Sequence, residues 1–84
     1  MIVVMDYITD LLRVIDVYCA AAGVADSTLS TRMFNEGMKI KRLRAGGDMN
    51  TRRVIAAMAW LSAHWPQGAE WPAGVIRPSA AGED

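Results

Sequence analysis

Between Asp26 and Asn35 the chain reads DSTLSTRMFN, which sets four short hydroxyl side chains, Ser27, Thr28, Ser30 and Thr31, beside one arginine, Arg32. Six further cations, Lys39, Lys41, Arg42, Arg44, Arg52 and Arg53, follow before position 54. Hydroxyls on short arms donate and accept hydrogen bonds at close range, and guanidinium and ammonium groups hold anions. Together they are suited to gripping a polyanion without breaking bonds. The residues that could break bonds are not assembled for it. Cys19, the one cysteine, falls on an apolar helical face, where a packed small residue is the simpler reading than a nucleophile. His64 is the one histidine and has no cysteine, histidine or pair of acids at ligand spacing. Asp6, Asp10 and Asp16 read as the wet face of a helix with Arg13 as their local partner, rather than as paired catalytic carboxylates. Gly46-Gly47 lacks the pattern of a phosphate loop. No enzyme, metal, cofactor or small-molecule ligand is expected.

A formal net charge of zero hides a segregation. From Met1 to Asp26 one base stands against four acids, leaving −3; from Ser27 to Arg53 seven bases stand against two acids, leaving +5; from Val54 onward one base stands against three acids, leaving −2. A basic block flanked by acidic ends can make a local positive field on a neutral protein. The plainer reading of a charge run is a solvated face.

The elements that must carry these groups follow from apolar spacing. With 84 residues there is one domain, able to bury roughly 60% of the surface its unfolded chain exposes. Val4, Ile8, Leu11, Ile15, Tyr18 and Ala22 make a helical stripe flanked by Leu12 and Cys19, with Asp6 and Asp10 at the helix start and Gly23 at its end. A short helix over Asp26–Asn35, capped by Asp26 or Ser27, turns Leu29, Met33 and Phe34 inward and Ser27, Thr28, Ser30, Thr31 and Arg32 outward. After the NEG turn, a basic helix with Met38, Ile40 and Leu43 as its apolar side closes at Gly46 and Gly47; a wing hairpin over the same residues is the alternative. A last helix over Thr51–Trp65, capped by Asn50 or Thr51 and stopped by Pro66, buries Val54, Met58, Leu61 and Trp65. The expected fold is all-α: four to five short helices in residues 1–66, then an irregular, partly disordered Pro/Gly/Ala-rich tail over 67–84 anchored by Trp71, Val75 and Ile76.

A helix, a glycine turn and a second helix with short polar side chains outward is the plan of a helix-turn-helix. Small side chains at Cys19 and Ala22 let the helices approach, Val24 and Leu29 fill the space between, and Ser and Thr let the second helix lie close in a DNA major groove. The segment DVYCAAAGVADSTLSTRMFN resembles the helix-turn-helix of lactose-repressor-type regulators, in its Ala22-Gly23-Val24 turn, in Thr28, Leu29, Ser30 and Arg32, and in Asn35. One extra residue, Thr31, separates the serine from the arginine. The four-helix plan resembles the broader class of Cro and phage-repressor-like regulators. That resemblance implies sequence-specific binding of double-stranded DNA, with the family's two base-reading positions after the turn falling on Asp26 and Ser27; the outward face of the helix itself offers Ser27, Thr28, Thr31 and Arg32 as base contacts. Phosphate contacts would then come from Lys39, Lys41, Arg42, Arg44, Arg52 and Arg53. The other reading keeps the fold and turns the basic face to an acidic protein partner.

Two further expectations concern setting. The opening MIVVMDYITD is a poor signal peptide and no apolar run is long enough for a membrane span, so a cytoplasmic, nucleoid-associated place is expected. On the last helix Trp60 falls at about 240° from Val54, among alanines and away from the stripe. An indole there needs a cover, so a homodimer through Ala56, Trp60, Ala63 and His64 is expected, with the chain's own tail as the other candidate.

Overall fold

Four apolar stripes at helical period become four helices. The computed structural model describes residues 7–78, as α1 (Tyr7–Ala22), α2 (Asp26–Phe34), α3 (Lys39–Arg44) and α4 (Thr51–Ala63), with no strand among them. The stretch after Arg44 is therefore loop and helix, not a wing. Val4, Asp6 and residues 79–84 lie outside the described residues.

Each helix ends for a local reason. Gly23 takes φ +70, and its N–H and that of Val24 both donate to the Cys19 carbonyl at 2.9 and 3.2 Å. This left-handed cap costs a glycine nothing and turns the chain within three residues into α2. The N-cap of α2 is Ala25, without a side-chain bond, and Asp26 is already helical, so neither Asp26 nor Ser27 caps it. Asn50 does cap α4, its side chain accepting from the Arg53 N–H at 2.9 Å. Helix α4 stops at Ala63 with His64 as C-cap, two residues short of Trp65. Gly47 closes α3 because the backbone comes back on itself: a Cβ there would sit 2.7 Å from the Arg42 carbonyl oxygen.

Helix α1 packs mainly on α4, α2 on α3, and α1 also touches α3. Cover from both α4 and α3 buries Val14 along with Leu11, Ile15 and Tyr18, whereas Ala22, one turn beyond the last covered residue, is exposed. Met38 is not on the apolar side of α3; it is the N-cap residue and 46% exposed. Ile40 and Leu43 hold that helix down.

Ser30 corrects the outward reading of α2. It is fully buried, and its hydroxyl donates to the Glu36 carbonyl at 2.6 Å and accepts from the Ile40 N–H at 3.2 Å. One side chain thus satisfies two backbone groups of the turn between α2 and α3. Ser30→Ala leaves the Ile40 N–H buried without its acceptor, an expected loss of ~1–3 kcal/mol. Thermal denaturation measures it; an unchanged midpoint would show that water replaces the hydroxyl.

The chain after Trp65 is irregular but anchored. Val75 is buried, and Trp71 packs on Trp65 with ring centroids 4.8 Å apart. Each indole N–H finds a carbonyl, Trp65 that of Ala69 and Trp71 that of Val75. Arg77 lies 5.2 Å over the Trp71 ring and 6.0 Å from that of Trp65, and donates to both the hydroxyl and the carbonyl of buried Ser62. Ile76 is not an anchor; it is 89% exposed.

Candidate nucleic-acid interface

Helix α2 presents a continuous polar face because its apolar residues all lie on the other side. At 100° per residue, Ser27, Thr31, Asn35, Thr28 and Arg32 share one arc of about 140°. All five are exposed, while Leu29 and Ser30 are buried and Met33 and Phe34 half-buried on the opposite arc. Every expected base-contacting residue is on this face. Asn35 joins them, held there by a left-handed backbone at φ 58. The Thr31 hydroxyl donates to the Ser27 carbonyl at 3.0 Å, which leaves its lone pairs and methyl group facing outward.

The six expected phosphate anchors divide into two kinds. Among the described residues, Lys39, Lys41 and Arg52 form no ion pair, and neither does Arg32. Arg53 rests over the Phe34 ring at 5.9 Å, which brings the first turn of α4 against the end of α2. Arg42 and Arg44, by contrast, are engaged. Arg42 pairs with Glu36 at the surface. Arg44 reaches Asp26 through Nε at 2.7 Å and Nη2 at 3.1 Å, and Asp16 through Nη2 at 2.7 Å. The separation of charge along the chain is thus partly undone in space: two acids from the acidic first third are folded onto the basic block. Asp16 is not a partner of Arg13, which pairs with Asp10 at 3.9 Å and donates to the Ala73 carbonyl at 2.9 Å.

The Arg44 hydrogen bonds hold the Asp26 carboxyl below the usual carboxylate range. The Cys19 thiol, 3.7 Å from Asp26, is pushed up to about 11, first by burial and then by the Asp26 charge. Its S–H donates to Asp26 Oδ1. Because the folded-state pKa of Asp26 is depressed, its contribution to stability is present above the ordinary carboxyl pKa of ~3.9 and is lost as pH falls through the folded value. Asp26→Asn is expected to flatten the acid limb of the stability–pH profile below about pH 4. An acid limb as steep in the variant as in the wild type would show that Asp26 ionisation is not coupled to folding.

Trp60 is not outside the core. It is half-buried, with its ring 6.1 Å from that of Tyr18 on α1 and stacked on His64 at 4.1 Å. It shares a groove with Met33 and Phe34 of α2. Packing of α1 on α4, with the Tyr18 ring against Trp60, widens the buried side of α4 to take in Ala57 and Trp60. The segment after Trp65 covers Trp65 rather than Trp60. Ala56, Ala63 and His64 are exposed. The large exposed apolar side chains Tyr7, Ile55 and Ile76 line a different groove, between α1, α4 and the chain after Trp71.

Among the described residues no helix is long and apolar enough to cross a membrane, and no group of three His, Cys, Asp or Glu could hold a metal ion. Comparison with protein-family models, with curated proteins and with solved structures finds no match to this chain.

Proposed function

We propose that the chain binds double-stranded DNA, with α2 lying in the major groove and cations of α3 and α4 on the flanking phosphates. The observation that carries this reading is the outer face of α2. It is exposed along its length, offers four hydrogen-bonding side chains and one guanidinium, and carries no apolar residue. Short side chains let the helix backbone approach the base edges, and Arg32 reads guanine O6 and N7 best. Lys39, Lys41 and Arg52, which form no ion pair among the described residues, supply the sequence-independent attraction to phosphate. The three-residue glycine turn between α1 and α2 supports a helix-turn-helix arrangement. A role as a small regulator of bacterial or phage type follows from that arrangement.

Selection from a random duplex library tests binding, specificity and site symmetry together; a palindromic site indicates two copies on the DNA. On the selected site, Thr31→Ala and Arg32→Ala are expected to change the preferred base at one or two positions, at a cost of ~1–3 kcal/mol. Arg52→Ala is expected to cost affinity without relaxing preference. The reverse pattern would place the wrong helix in the groove. A folded protein with no duplex binding at ~50 mM salt would transfer the cationic face to an acidic protein partner.

A further inference from the structure

Arg44 is the last residue of α3, and its guanidinium joins three helices. Its Nε and Nη2 hold both oxygens of Asp26 on α2, while Nη2 also holds Asp16 on α1. A fork of this kind fixes direction as well as distance, because both N–H bonds must stay parallel to the carboxylate. Asp26 lies almost opposite the middle of the outer arc of α2, so the clamp grips that helix from behind. The other tie at this level is the Ser30 hydroxyl, which binds α2 to the start of α3. Between them the two ties fix α2 at its first residue and at its middle.

We propose that Arg44 is a positioning residue for the contact face of α2: it aligns Ser27, Thr28, Thr31 and Arg32 with the base edges and does not itself hold phosphate. This rests on the DNA reading above. It reassigns a residue whose position in the basic block marks it, on sequence alone, as a phosphate anchor. It also gives Asp26 a role that charge counting would invert. Removing an acid from a DNA-binding surface ordinarily strengthens binding; removing Asp26 loosens the helix that reads the sequence.

The test compares the selected duplex with a random one, across a salt titration, for the wild type, Asp26→Asn, and the charge-balanced double variant Asp26→Ser/Arg44→Ala. Both variants are expected to lose about tenfold in affinity for the selected duplex. Affinity for the random duplex and the slope of log affinity against log salt should hold, since the free cations remain. A double variant whose slope falls by ~0.9 would show that Arg44 neutralises a phosphate, overturning the proposal. A loss shared equally by both duplexes would mark a general destabilisation and overturn it too. So would an Asp26→Asn variant as selective as the wild type. A wild type that binds neither duplex overturns the DNA reading first, and this inference with it.

Discussion

Replacing Lys39, Lys41 and Arg52 together by alanine is expected to weaken duplex binding by roughly two to three orders of magnitude at ~0.1 M salt. The log–log salt slope should fall by ~2.7, since each phosphate contact contributes about 0.9. These three are chosen because none forms an ion pair among the described residues. Nothing in the folded state must be given up for them to reach phosphate, and nothing in the fold is lost when they are removed. Arg42 would first have to leave Glu36, and Arg44 would have to leave two carboxylates. Fluorescence anisotropy on a labelled duplex over a range of salt reads the effect. A triple variant with the wild-type slope would place the phosphate contacts on another surface.

Trp71→Ala is the substitution expected to cost most in stability, at about 2–4 kcal/mol. Trp71 packs against Trp65 on one side and under Arg77 on the other, and its N–H ties down Val75. Truncating it therefore undoes the attachment of the segment that buries Val75 and satisfies Ser62. A domain of this size has roughly 4–13 kcal/mol in all. At 4–8 °C per kcal/mol, the melting midpoint should fall by about eight degrees or more. A midpoint within two degrees of the wild type would show that residues 67–78 are an appendage, as their composition alone suggests.

The sequence made the helices legible because each carries its own signal: the Gly23 and Gly46-Gly47 ends, the Asn50 cap, and the stripes through Leu11 and Ile15, and through Val54 and Leu61. What it left illegible was pairwise. Ser30 looks like its neighbours Thr28 and Thr31 in type; helical period places it between Met33 and Phe34, and the turn folding beneath it gives its hydroxyl two backbone partners. Trp60 reads as exposed when only the stripe through Val54 is counted, and is half-buried because the Tyr18 ring of α1 and the His64 ring one turn on lie against it. Among the cations the difficulty is greatest. Lys41, Arg42 and Arg44 stand almost side by side in sequence, yet one is free, one is paired within its own turn region, and one clamps acids 18 and 28 positions away. Local charge density says nothing of such partners. The outer face of α2 was legible because helical period alone sorts a nine-residue helix into two sides.

The anchoring of the irregular segment also imposes an order in time. Helices α2 and α3 adjoin in sequence, so their contacts close over short loops and can form early. The lock on the far side joins Arg13 to the Ala73 carbonyl across 60 positions, and Val75 and Arg77 follow it. As the chain is synthesised, α1 gains its main cover with α4, whereas Trp65 waits in water until those residues arrive. The partly made protein therefore already carries the polar face of α2 while part of its apolar surface is still open. It is in that interval, rather than in the finished fold, that association with other chains is expected to compete.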